Sequence, residues 1–114
     1  MARLTDPRIL ACFEAVLSNW NYTGYVEWRD EPKRWLLRNM PALSEKKLAQ
    51  LMWDHLQSGG EIDQVVERRP EWTIYDYHYD FRLEIAGHCI YVETVLDDHR
   101  PDDPNIQVVS IHDV

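Results

Sequence analysis

The chain has 114 residues, 45% apolar and 28% charged, and a formal net charge of −8. That length holds one hydrophobic core and not two, and five Trp and six Tyr supply enough burial to exclude a disordered chain. No apolar run approaches the ~20 residues that span a bilayer, and MARLTDPRIL lacks the basic and then apolar pattern of a signal peptide.

Asp6-Pro7 marks a helix start, with Asp as N-cap and Pro in the first turn. Ile9, Phe13, Val16, Leu17 and Trp20 then recur at helical spacing, and Asn19, Asn21 and Gly24 end the run. Tyr22–Trp28 is aromatic-rich and reads equally as extended or loop. Asp30-Glu31-Pro32 opens a second helix carrying Trp35, Leu36, Leu37 and Met40, and Pro41 closes it. Ser44 caps a third helix, with Leu48, Leu51, Met52, His55 and Leu56 on one stripe, and Gly59-Gly60 stops it. His55 on that stripe reads as a buried, hydrogen-bonded core histidine.

From Glu61 the period changes to alternation. Ile62–Glu67 reads as a short strand, and Arg68–Glu71 with Pro70 as a turn. Ile74–Ile85 alternates strictly, with Tyr75, Tyr77, Tyr79, Phe81, Leu83 and Ile85 on an apolar face. Ala86-Gly87 fits a two-residue hairpin turn into His88–Leu96. DDHRPDDP (97–104) is a polar loop, and Ile106–His112 is the last strand. The expected fold is a single α+β domain: about three N-terminal helices packed on one face of a C-terminal four-stranded antiparallel β-meander. Helices followed by a meander resemble the element order of small bacterial ribonuclease toxins, a likeness that no motif carries.

A turn at Ala86-Gly87 sets Glu84 opposite Cys89, Arg82 opposite Tyr91, Asp80 opposite Glu93 and His78 opposite Val95 on the polar face. A slip of one residue would bring Ile90 and Val92 onto that face, which secures the register. Opposed carboxylates destabilise a sheet, so Asp80 and Glu93 need relief. Arg82 can neutralise one charge, a divalent cation at Asp80 and Glu93 is a second solution, and a shared proton is a third. No cofactor is otherwise implied. The functional reading makes His78, Asp80 and Glu93 an acid–base or metal site, with Arg82 stabilising an anion and Tyr91 orienting it. The structural reading is a solvated sheet face, with Arg82 as counter-ion. His112 joins this face if the last strand neighbours the hairpin. Trp28, Trp53 and Trp72 are candidates for exposure, and Trp53 and Trp72, with Asp97 and Asp98 of the acidic half, are the expected binding residues.

Residues 1–60 hold eight Lys and Arg against seven Asp and Glu, whereas residues 61–114 hold four against thirteen. The basic side chains of Arg29, Lys33, Arg34, Arg38, Lys46 and Lys47 read as a solvated helix surface. The only cysteines, Cys12 and Cys89, lie on different elements, which points to reduced thiols and a cytoplasmic protein. There is no P-loop, dinucleotide fingerprint, GxSxG or HExxH. Charge and missing motifs together lead to an inhibitor-like protein-interaction module whose acidic half docks a basic protein. The alternative is a small hydrolase, a toxin-like endoribonuclease that takes nucleic acid on the polar face of the 74–97 hairpin. No membrane partner is expected, and an exposed sheet edge would allow a homodimer.

Overall fold

The computed structural model describes residues 2–22, 24–72, 74–98 and 104–114. Among them, no helix is long and apolar enough to cross a membrane. Helix α1 (Pro7–Leu17) starts where Asp6 Oδ1 accepts from the Arg8 N–H at 2.9 Å. It stops at Leu17, short of the expected Trp20, because Trp20 N–H bonds back to the Leu17 carbonyl in a tighter turn. Helix α2 (Asp30–Asn39) places Asp30 and Glu31 in its first turn, where they face the positive end of the helix dipole, and it ends just before Pro41. Helix α3 (Glu45–Gln57) is capped by Ser44, whose Oγ accepts from Lys47 N–H at 3.0 Å. Gly59 leaves α3 with φ +82°, and a Cβ on Gly60 would lie 2.4 Å from the His55 ring. That ring is half-buried rather than fully buried, and its Nε2 lies 2.7 Å from the Glu61 carbonyl.

The strands are β1 (Ala2–Arg3), β2 (Val26–Trp28), β3 (Ile62–Val66), β4 (Tyr77–Ile85), β5 (His88–Asp98) and β6 (Asn105–Asp113). They form one six-stranded mixed sheet in the order β1-β3-β4-β5-β6-β2. The expected four-stranded antiparallel meander is therefore only the centre of the sheet. Two pieces of the N-terminal half extend it, β1 antiparallel to β3 and β2 parallel to β6. Strands of two and three residues are too short to show a period of two, so their sequences carry no alternation to read. The last strand lies inside the sheet, and the short β1 and β2 occupy its edges.

The 86–87 turn has φ values of +52° at Ala86 and +79° at Gly87, the left-handed pair of a type I′ hairpin. Its register runs from Ile85↔His88 through Asp80↔Glu93 to Tyr79↔Thr94, as the sequence pattern requires. The apolar face of this hairpin meets the helices. Phe13 of α1 sits edge-on to Tyr79 at 5.2 Å and tilts against Phe81 at 5.7 Å between ring centroids. Leu36 of α2 and Leu48 and Met52 of α3 join the same contiguous core.

The expected start of β4 at Ile74 is wrong. The chain turns through a 3-10 segment, Pro70–Trp72, and the Glu67 N–H bonds to the Asp76 carbonyl, so pairing begins only at Tyr77. Ile74 is left 85% exposed, and Tyr75 is not on the apolar face. Its hydroxyl instead bonds Asp97, on the side of the sheet away from the helices. Burial, then Asp97, pushes the Tyr75 phenol up to about 12. The helix-free side is also less solvated than its sequence suggests, because Val95 and Val109 are buried. Val109 is the extra residue of a β-bulge between the Glu93↔Ser110 and Thr94↔Val108 pairs.

Ala86 pays the steric cost of a left-handed conformation that Asn tolerates better. Ala86→Asn is expected to stabilise the protein by about 1 kcal/mol, read as a higher midpoint in thermal unfolding. An unchanged or lower midpoint would count against a type I′ turn.

Candidate functional site

The helix-free face gathers a row of closely spaced titratable side chains. Strand pairing puts Asp63, Asp80 and Glu93 directly opposite one another across β3, β4 and β5, and Ser110 of β6 continues the row. The neighbouring row is Arg82, Tyr91 and His112. His78, Asp80, Arg82, Tyr91 and Glu93 thus share one face, as the alternation predicts, and His112 joins them because β6 lies beside β5.

The counter-ions differ from expectation. Arg82 does not reach Asp80 or Glu93. Its Nη2 donates to the Tyr91 hydroxyl at 2.6 Å and lies 4.0 Å from Asp63, and its guanidinium stacks 5.1 Å over the Tyr91 ring. Relief for Glu93 comes from Arg69, on the segment before the 3-10 turn. Arg69 Nη1 donates to Glu93 Oε2 at 3.0 Å, while its Nε and Nη2 donate to the two oxygens of Glu67 at 2.9 Å each. Glu67 Oε1 also accepts the backbone N–H groups of Arg68 and Arg69. Relief for Asp80 comes from His78, whose Nδ1 lies 2.7 Å from Asp80 Oδ1. His112 Nδ1 lies 3.6 Å from the other oxygen of Glu93. Sequence reading missed Glu67 and Arg69. The only signal was an acid and an arginine two residues apart beside Pro70, which is also how an ordinary turn looks.

The environment sets these groups apart. Burial raises the Asp80 carboxyl above its ordinary range. The hydrogen bond and charge of His78 work against that, and Glu93 and Asp63 add to the rise. Glu67 goes the other way. Burial would raise it, but the bonds and charge of Arg69, with a contribution from His78, outweigh burial and leave it below the usual carboxylate range. Its bond to Glu67 holds the Arg69 guanidinium more firmly protonated against burial.

Donor atoms of His78, Asp80 and Glu93 lie within 4.8 Å of one another, close enough for one divalent cation. A cation there would compete with Arg69 for Glu93 and sit beside a guanidinium that repels it. The donor set therefore fits its present arginine better than a metal.

Searches against protein families, characterised proteins and solved structures found no match. The chemistry of this face has to be read from its own residues.

The other expected binding residues fall elsewhere. Trp53 is half-buried on α3 and packs against the core. Trp72 is on the helix-free side, in contact with Tyr75 and beneath the Arg29 guanidinium at 5.3 Å. Asp97 accepts from Tyr75 and from Gln107 Nε2. The side chain of Asp98 and residues 99–103 of the polar loop lie outside the described residues. A separate cleft of about 700 Å³ opens on the helix side, lined by Trp20, Val26, Trp28, Leu36 and Leu43. It is mainly apolar, with Lys33, Glu45 and Lys46 also in its lining.

Asp80→Asn tests the electrostatics of the row. It removes the charge while keeping an oxygen acceptor for His78. A folded-state pKa above the unfolded one means that ionised Asp80 costs stability, and the cost develops as pH rises through its titration. The variant should be more stable than wild type at neutral pH by roughly 0.5 kcal/mol, with no advantage in acid where Asp80 is already protonated. Denaturant unfolding at both pH values measures this. A variant less stable at neutral pH would show that the charge is needed.

Proposed function

We propose that the helix-free face binds and cleaves a phosphodiester, with single-stranded RNA as substrate. The observation that carries this reading is the layering of charge. Side-chain exposures fall from 53% for Arg82, 47% for His112 and 33% for Arg69 to 21% for Asp63, 14% for Glu93, 9% for Asp80 and 1% for Glu67. Within this cluster the carboxylates lie underneath with His78, 13% exposed, among them, and the more exposed groups are Arg82, His112 and Arg69. A phosphate approaching this face meets arginines first, although the sheet half as a whole is acidic. Buried charge clusters of this kind cost stability relative to apolar packing, and perturbed titratable groups concentrate where chemistry is done.

In this reading Glu93, 3.6 Å from His112, acts as general base on the ribose 2′-hydroxyl. The 2′-oxygen forms a bond to phosphorus, the bond from phosphorus to the 5′-oxygen breaks, and His112 gives its proton to that leaving oxygen. The products are a 2′,3′-cyclic phosphate and a 5′-hydroxyl. Arg69 and Arg82 supply donors to the oxygens on which charge accumulates, and Tyr91 holds Arg82 in place. His78 and Asp80 are positioning residues, bonded to each other beside Glu93. The reaction as written balances without a metal ion.

A second reading rests on a different observation. Outside the cluster, the exposed Glu71, Asp76, Glu84 and Asp97 extend the acidic character of the sheet half, which suits a basic protein partner.

The deciding experiment is cleavage of labelled single-stranded RNA by the purified protein, with and without chelator. Cleavage that survives chelator and falls about 100-fold or more in His112→Ala and in Arg82→Ala supports the proposal. Both residues are exposed, so the variants should keep wild-type unfolding midpoints. RNA left intact, together with salt-sensitive binding to a lysine-rich peptide that Glu84→Gln weakens, would replace it with the docking reading.

A further inference from the structure

Next to the charged cluster is a recess of about 480 Å³, walled by Trp28, Arg29, Glu31, Arg69 and Trp72 and floored by Val109. The bulge in β6 supplies the floor, since it turns the extra residue Val109 away from the core and onto the helix-free side. The junction of β2 and α2 supplies one wall, and the 3-10 turn supplies the other. Two contacts join recess and cluster. Arg69 lines the recess and donates to Glu93. Ser110, paired with Glu93 across the strands, donates a long hydrogen bond of 3.4 Å to Glu31 Oε1 at the recess.

We infer that this recess is a nucleobase subsite, seating one unpaired base of the strand whose phosphate lies at Arg69 and Glu93, and that it selects guanine. The inference rests on the proposed RNA reading and names the part of the substrate that the cluster leaves unread. Trp72 already holds a planar delocalised cation, the Arg29 guanidinium, over its ring at 5.3 Å. A nucleobase is a planar group of the same kind, and aromatic and arginine faces are what unpaired bases stack on. A base still in a duplex cannot enter a recess of this sort, so the substrate is single-stranded. Among the charged groups at the recess, Asp30, Glu31 and Glu71 are acceptors, and Glu31 takes only the long bond from Ser110. Guanine presents two adjacent donors, N1–H and the 2-amino group, that one carboxylate can accept together. Uracil offers a single N–H between two carbonyls, and those carbonyls would meet carboxylate.

The test titrates guanosine, adenosine, cytidine and uridine 3′-monophosphates into the full-length protein, followed by calorimetry, beside RNA cleavage on substrates that differ in one base. Guanosine monophosphate should bind tightest. Glu31→Gln, an exposed change in the first turn of α2, should weaken it by about tenfold and leave uridine monophosphate bound at least as well as before. Trp72→Ala should weaken all four. Equal binding of the four nucleotides, no binding, or guanosine binding unaffected by both substitutions would overturn the subsite. RNA cleavage without base preference would remove the subsite and leave the cleavage reading intact. Selective guanosine binding without RNA cleavage would do the reverse.

Discussion

The three-way bonding of Arg69 is the interaction on which the helix-free side depends. Its guanidinium is shared between Glu67, two residues away, and Glu93, on the middle strand of the sheet. The first partner fixes the guanidinium in plane and the second ties it across the face. With the chain tethered at this point, residues 67–72 do not extend β4, and Arg69, Glu71 and Trp72 line the recess with Val109. The same tether leaves Trp72 facing Arg29 and so forms the recess. A lysine could not replace Arg69, since an ammonium lacks the planar fork that serves two carboxylates at once.

The opposed carboxylates thus have a physical resolution that differs from the one suggested by proximity along the strand. On a flat hairpin Arg82 is diagonal to Glu93 and is the nearest counter-ion along the strands. In the folded sheet it stacks on Tyr91 and leans toward Asp63. Glu93 is neutralised from above the sheet, and Asp80 is bonded to a histidine of its own strand. Within the cluster the carboxylates are the more buried groups and the arginines the more exposed, while Glu84 and Asp97 on the same side of the sheet remain open to solvent.

Legibility in the sequence followed the strength of local signals. Caps at Asp6 and Ser44, the Gly59-Gly60 stop, and the alternation from Tyr77 to Ile85 each involve neighbouring residues, and each is found where the sequence puts it. The register of the central hairpin followed from one turn and one hydrophobic pattern, and with it came the grouping of His78, Asp80, Arg82, Tyr91 and Glu93. What the sequence did not disclose depends on contacts between distant segments. The pairing of Ala2-Arg3 with β3 and of Val26–Trp28 with β6 leaves no periodic trace. Arg69 is 24 residues from Glu93, and nothing local marks it as that residue's partner. Tyr75 continues the alternation in sequence while its backbone has already left the strand, which is why the pattern overran.

The parallel pairing of β2 with β6 has a consequence for how the chain is made. Residues 26–28 are synthesised well before their strand partner, 106–108. Until then the apolar faces of α1 and α2 have no completed sheet to cover them, whereas the hairpin of β4 and β5 can form from neighbouring residues. On the ribosome the helical half must therefore wait, partly uncovered, for β6 to emerge. A chain interrupted anywhere before residue 105 would lose both its penultimate sheet position and the support for β2. Completion of this fold is tied to the arrival of β6, and chains cut before it should be recognised by proteases as unfolded rather than persist as shortened domains.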